Sequence, residues 1–460
     1  MKEIFSNAAN ELRNFARERN IAAEFTFHRG ISKLVRFANS GVSSNTSEDT
    51  FSLDVDVTKG RAKGSYSATT SPLDLESMKI ALLRADEIAR FSAPVSFDRK
   101  IPILPERNPD DANFDQRIEN MTTGDALDLV GAATDDLLGG GLSLAGMVSS
   151  GVIYEAKANT LNNNLLYHAG TDANMELVIT NDKEKWEVQS SQSAVKFGQF
   201  APEELRNEFA LLLEQYKNRE RMSVPVGEYE VVFGRDAIAN LMNYFGWIGF
   251  NGRSLKHDMS FLKEEDLNKQ VFSPLLTVID DPSFSDTFPY AFDASGIERQ
   301  AVPFIKEGVF QNFFWGKETC EEFGGVPTGH DVPSMSIAIG SGNTPINTLQ
   351  DLLDATREKD ILYIPYLHYM GIVNAAKGIV TGSTRFGALY LKKDGSIAVP
   401  YNMRFTASLK DLFSNIKWIS QRRAALNLTN LYGRRHPEAM LAPRFTCIEK
   451  VPITLANTSF

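Results

Sequence analysis

The stretch 231–273, VVFGRDAIANLMNYFGWIGFNGRSLKHDMSFLKEEDLNKQVFS, sets the reading of the whole chain. Strand sequence at 228–233 passes without a linker into an apolar helical run at 236–245. Along that helix, ANLMNYFGWIGF, residues 240–246 supply neither a histidine nor an acid. Amide, aromatic and aliphatic side chains neither hold a metal-bound water nor take its proton, so residues 240–246 offer no ligand set and no general base.

Downstream, short apolar strands separated by glycine turns are predicted at 275–279, 302–305, 361–367, 387–391 and 445–453, with turns at Glu307-Gly308 and Asp394-Gly395. One more helix is predicted over 408–426. Upstream, NRERMSVP places charge, serine and proline between two patterned regions. The domain boundary therefore falls at 222, giving 1–222 and 223–460.

In the first domain Ile4, Phe5, Ala8, Leu12 and Phe15 recur at helical spacing. Phe25 and Phe27, then Phe51, Leu53, Val55 and Val57, alternate with polar residues and turn at Thr58-Lys59-Gly60, the pattern of an antiparallel meander. Ser71-Pro72-Leu73-Asp74 has the cap, the first-turn proline and the early acid of a helix start, followed by the stripe Leu75, Met78, Leu82, Ala85 and Ala89. A helix over 123–138 stops at a triple glycine, strands follow at 142–160 and 175–179, and a helix over 202–219 closes the domain. The fold class is α+β: an N-terminal domain built on an antiparallel sheet, and a C-terminal domain that is mostly β.

At 460 residues, two compact domains are the natural division. The N-terminus lacks the apolar run of a signal peptide and no segment is long enough to span a bilayer, so a cytoplasmic, membrane-free protein is expected. Cys320 and Cys447 are the only cysteines, too few for a disulfide framework. A formal charge of −10 makes nucleic acid an unfavourable main partner, because binding a polyphosphate draws on excess Lys and Arg.

Several segments together resemble the TldD/PmbA (TldD/TldE) family: LVRFANSGVSSNTSEDT from Leu34, ALLRADEIAR from Ala81, ANTLNNNLLYHAGT from Ala158, VPVGEYEVVFGRDAIANLM from Val224, QVFSPLLTVIDDP from Gln270, FIKEGVFQNFF from Phe304, PTGH from Pro327 and GIVTGSTRFGALYL from Gly378. Each is ordinary strand and turn sequence, and it is their order and spacing that carry the resemblance. The family is classed among metallopeptidases, and its members were named as modulators of DNA gyrase. By that resemblance, a catalytic branch carries His-Glu-x-x-x-His on a helix, with a cysteine nearer the C-terminus as a further zinc ligand. Here the matching helix has no such residues, and Cys447 lies in strand-like FTCIEKVPI. No catalytic and no metal residue is carried over, and the chain looks like the PmbA/TldE branch.

The remaining candidates are weaker. His257, His330 and His368 could converge with Cys320 on a metal, but none has ligand spacing. Asp280, Asp281, Asp286 and Asp293 read as turn formers, not as a calcium loop. Ser-x-x-Lys occurs at Ser260 and again at Ser414, without its companion motifs. Lys410, Lys417, Arg422, Arg423, Arg434 and Arg435 with Trp418 form a basic stretch, read as a solvated face or a contact to an acidic partner subunit. Trp247, Phe250 and Trp315, with Phe313, Phe314 and Tyr366, are candidates for the walls of a groove holding an extended peptide by strand addition.

The resemblance implies a TldE-type, non-catalytic subunit of a two-component metalloprotease acting on peptides and unfolded proteins. Its zinc would sit in a His-Glu-x-x-x-His paralogue as heterodimer partner, with a homodimer as the other assembly. The alternative is a non-proteolytic binding or regulatory protein acting on a gyrase or toxin/antitoxin system.

Overall fold

The structure, a computed structural model, describes residues 1–70, 74–331 and 336–457. Its first sheet is antiparallel and contains β1 (Ala23–Ala38), β2 (Gly41–Lys59), β3 (Ala62–Thr70), β4 (Leu142–Asn159), β5 (Leu166–Asn181) and β6 (Trp186–Ala194), in the order β3-β2-β1-β4-β5-β6. The period-2 pattern dictates its two faces. Phe25, Phe27, Leu53, Val55, Ala156 and Ala158 point to one side and pack on α1 (Lys2–Arg17) and α2 (Leu75–Phe91). The helices α3 (Gln116–Glu119), α4 (Thr123–Thr134) and α5 (Pro202–Asn218) complete this part, with Leu129 and Phe209 of the last two packed among Met175, Leu177 and Ile179. Helix α2 lies on the backbone of β3: a Cβ on Gly64 would stand 2.1 Å from the Ala85 carbonyl oxygen, so only glycine fits there.

The predicted helix start at Ser71 to Leu73 lies outside the described residues. Asp74 is the N-cap, its carboxylate accepting from Glu76 N and Ser77 N.

The other face of this sheet is polar and nevertheless buried. His28, Ser149, Glu155, His168 and Asp172 project from it, and none is more than 7% exposed. Buried polar groups need polar partners, and the second part of the chain supplies them.

That second part contains β7 (Arg221–Met222), β8 (Gly227–Gly234), α6 (Arg235–Ile248), α7 (Gly252–Lys256), β9 (Val278–Asp280), β10 (Val302–Lys306), β11 (Val309–Phe310), α8 (Lys317–Phe323), β12 (Ile337–Ile339), α9 (Leu349–Asp354), β13 (Ile361–Ile364), β14 (Tyr366–Asn374), β15 (Ile379–Arg385), β16 (Leu389–Leu391), β17 (Ile397–Pro400), β18 (Met403–Ser408), α10 (Leu409–Ser414), β19 (Ile416–Ile419), β20 (Arg423–Asn427), β21 (Ala439–Pro443) and β22 (Phe445–Ala456). They form a six-stranded sheet, β11-β10-β9-β12-β21-β20, and a larger one running β14-β15-β18-β22-β8-β13-β16-β17-β7, with β19 on β22. The fold is thus α+β, with an antiparallel N-terminal sheet and a mostly β C-terminal region. Helix α6 is anchored by Phe245, whose ring lies 5.0–5.6 Å from those of Phe250, Phe261, Phe272 and Phe413. Burying one such ring contributes roughly 1.5–3 kcal/mol.

The predicted helix over 408–426 is a correction. It ends at Ser414, and Ile416–Ile419 pairs with β22 while Arg423–Asn427 pairs with β21. Tertiary pairing overrides a helix-permissive composition here. No helix among the described residues is long and apolar enough to cross a membrane.

Candidate functional site

The strand-to-helix turn that opens α6 leaves no room for a side chain. A Cβ on Gly234 would stand 2.9 Å from Pro365 Cα, and Ala237 N–H donates to the Pro365 carbonyl at 3.2 Å. Most of α6 is buried; the side chains left uncovered are Asp236, Asn240, Asn243, Tyr244 and Trp247, at the three- and four-residue spacing of one helix face. Asp236 is engaged, 2.7 Å from Arg235 Nη2 and accepting from Ser191 Oγ at 3.0 Å. A His-Glu-x-x-x-His helix would mount its imidazoles and base on such a stripe. Here, beyond the Asp236 carboxylate already engaged by Arg235 and Ser191, it carries two amides, a phenol and an indole. Burial pushes the Tyr244 phenol above its ordinary range, so it stays protonated, and an indole N–H only donates. This donor set does not fit zinc.

Of the predicted groove residues, Trp247 is 58% exposed at the end of α6, its ring 5.8 Å from that of Tyr244. Trp315 is half-buried against α7, where its ring would clash with any side chain on Gly252. Phe250 is fully buried, stacked on Phe304 at 4.5 Å, and has no surface to offer a ligand. Phe313 and Phe314 are buried as well, and Tyr366 is half-buried.

The histidines do not converge. His257 packs edge-on to Phe323 at the surface, His330 is fully buried and His368 lines a cleft. Among the described residues no three His, Cys, Asp or Glu side chains gather into a metal-holding group. His330, in the PTGH segment, instead donates from Nε2 to Asp280 Oδ2 at 2.5 Å, with Nδ1 2.9 Å from Thr328 Oγ1. Arg299 Nη2 donates to both Asp280 oxygens at 2.8 and 2.6 Å, and both side chains are 0% exposed. Burial alone would raise the Asp280 carboxyl, but Arg299 and His330 outweigh it and hold it below the usual carboxylate range. Walled by Phe304 and Phe314, this triad is a buried cross-link. Asp281 and Asp293 accept from nearby backbone N–H groups, as turn formers do.

The basic stretch is consumed inside the chain. Arg434 pairs with Asp54, Lys417 with Glu230 at 3.0 Å, Arg422 with Glu204 at 2.7 Å and Lys410 with Asp266 at 3.5 Å. Arg435 and Asp172 form a buried bidentate pair. The segment between β20 and β21 thereby clamps onto the polar face of the N-terminal sheet. Tyr290 adds a ring between His168, 4.1 Å away, and His436, 5.0 Å away. Alternation in β1, β4 and β5 could have flagged that face, but nothing local in the sequence names its partners.

Between the β5–β6 hairpin and the β14–β15 hairpin lies a cleft of about 490 Å³. Arg385 Nε donates to Glu187 Oε2 at 2.9 Å across it. On the β14–β15 side the cleft is walled by His368, Tyr369 and Phe386, whose rings form one aromatic cluster with that of Tyr366 at centroid separations of 4.2–6.4 Å. Burial, reinforced by Arg385, lowers the pKa of His368 and keeps it neutral near pH 7. Tyr366 also borders a small polar pocket containing Asp236 and Arg235, so the cleft adjoins the head of α6. Of this aromatic cluster only Tyr366, which does not itself line the cleft, was singled out for the groove from sequence. The others are brought together by strand pairing.

Residues 226–451 match the family model for the PmbA/TldA metallopeptidase C-terminal domain. Over nearly their whole lengths, three solved structures share the fold. The crystal structure of TldE from Thermococcus kodakarensis gives a TM-score of 0.80 at 15% identity, covering 97% of this chain and all of that one. A putative modulator of DNA gyrase from Bacteroides thetaiotaomicron gives 0.78 at 15%, covering 98% of each chain. One from Thermotoga maritima gives 0.74 at 17%, covering 98% of this chain and all of that one. A protein named metalloprotease from Archaeoglobus fulgidus is 26% identical over 157 residues, a match spanning 33% of this chain and 36% of that relative.

Proposed function

We propose that this chain, whose residues 226–451 match the PmbA/TldA metallopeptidase C-terminal domain, is the TldE-type subunit of a two-component peptidase, binding peptide while a paralogue supplies zinc and chemistry. One observation carries this reading. The open stripe of α6, where zinc ligands would be mounted, bears Asn240, Asn243, Tyr244 and Trp247 beyond the engaged Asp236. The helix, its tight entry at Gly234 and the surrounding core are intact. Folding and catalysis are separable, so losing the donors removes hydrolysis from this chain while leaving a surface for substrate or subunit contact. Nucleic acid is a poor partner, because five of the six basic residues in that stretch are engaged in internal ion pairs.

The test is to co-express the chain with a His-Glu-x-x-x-His paralogue and follow cleavage of an unstructured peptide with and without it. A complex with cleavage absent from either subunit alone supports the reading. No complex, and partner activity unchanged by this chain, would sink it.

A further inference from the structure

The β14–β15 wall of the cleft combines several costly features. Strand β14 is at the end of its sheet, and its register with β15 breaks between His368 and Gly371, leaving Tyr369 and Met370 outside the ladder. A bulge of this kind bends an edge strand and re-aims a side chain. Here it turns Tyr369 out, 74% exposed, with a left-handed backbone at φ 48°. Phe386, just past the end of the opposite strand β15, is also left-handed, at φ 61°, as is Lys185 across the cleft at φ 60°. Bulky side chains rarely adopt this region, and holding one there costs free energy. Tyr369 spends that energy and leaves its ring in water, so packing within this chain does not repay it.

The chemistry of the cleft narrows the ligand. Asp182 and Glu187 are balanced by Lys185 and Arg385, and Arg385 is committed both to Glu187 and to the face of Phe386 at 4.4 Å. Among the described residues, the ring nitrogens of His368 have no hydrogen-bond partner, leaving one donor and one acceptor for a ligand. Asn402 and Asn457 add amides at the rim. Rings, amides and a neutral imidazole without excess charge suit a peptide segment bearing an aromatic side chain. The ring would pack edge-to-face on Tyr369 and Phe386 while its flanking amides meet His368 and the asparagines.

We propose that this cleft is a subsite for an aromatic side chain of an extended peptide, with Tyr369, Phe386 and His368 as its specificity-determining residues. The inference rests on the peptide-binding reading above and adds which side chains the chain selects and where.

The full-length chain alone is titrated by calorimetry with acetyl-Gly-Phe-Gly-amide and with the analogues carrying Ala, Lys or Glu at the centre. The Phe peptide is expected to bind at least about tenfold more tightly than the others. Tyr369→Gly and Phe386→Gly, which delete a ring while relieving a left-handed backbone, are expected to abolish that preference without unfolding the chain. Equal binding of the Phe and Ala peptides, binding of none, or an undiminished preference in both variants would overturn the subsite. So would a Tyr369→Gly chain that keeps its peptide preference but no longer assembles with the paralogue, because the ring would then be a subunit contact. The two readings fail separately: a Phe preference without any paralogue complex spares the subsite, and paralogue-dependent cleavage without a Phe preference spares only the function.

Discussion

Arg435 grips Asp172 through two 2.7 Å hydrogen bonds, Nε to Oδ1 and Nη2 to Oδ2, although 263 residues separate them. The guanidinium lies in a trough of the N-terminal sheet made by glycine: a Cβ on Gly151 would stand 2.5 Å from Arg435 Nε and 2.4 Å from the Ile31 carbonyl oxygen. Asn427 Nδ2 donates to the same carboxylate at 3.0 Å. The pair is 2% and 0% exposed in its side chains, and it pins the β20–β21 segment to the first sheet.

Removing one partner of such a pair leaves an unpaired buried charge. Asp172→Asn or Arg435→Met should therefore cost about 3–5 kcal/mol in chemical unfolding. The double variant should cost clearly less than the sum of the two. Gly151→Ala should destabilise by about 1–3 kcal/mol through overpacking.

The Asp280 triad makes a parallel prediction. Asp280→Asn leaves Arg299 fully buried without its carboxylate, with an expected loss of about 3–5 kcal/mol. Were unfolding to change by less than 1 kcal/mol, the triad would not be the cross-link described.

Two groups near the clamp titrate with opposite signs. Burial, with Glu155 opposing it, lowers His436 to about 4. The unfolded imidazole takes a proton below about 6.5 and the folded one does not, so this contribution is intact above pH 6.5 and lost as pH falls toward 4. His436→Phe, which keeps a ring against Tyr290, should flatten the stability profile across that window. A profile that His436→Phe leaves unchanged would remove His436 as the source.

Glu438 behaves in the other direction. Burial raises it to about 7, with Arg299 opposing and Asp280 adding. The folded state then binds the proton more tightly, so the contribution is complete below about pH 4.5 and lost as pH rises to 7. Glu438→Gln should therefore gain stability relative to the unmodified chain between pH 5 and 8, on the order of 1–3 kcal/mol. A difference independent of pH would contradict this.

Elemental analysis of the chain purified alone, without chelator, should find zinc far below one ion per chain. About one tightly held zinc would require ligands outside α6, and His257, His330, His368, Cys320 and Cys447 would be the first to substitute.

By itself, the sequence determined the features that are local or periodic. The strand-to-helix passage at 228–245, the alternation of β1 and β2, the stripe of α2 and the missing donors on α6 all follow from side-chain spacing that each element expresses alone. It did not determine the course of 408–426, where pairing with β21 and β22 outweighs local helix preference. Nor did it separate Phe250 in the core from Trp247 at the surface, because both are aromatic and only packing distinguishes them. The tertiary structure alone decided that Arg434 and Arg435 are clamps to Asp54 and Asp172, and that His368, Tyr369 and Phe386 share one wall. The physical reason is range. Periodicity and capping act within a few residues, whereas buried ion pairs and cleft walls depend on which distant strands become neighbours.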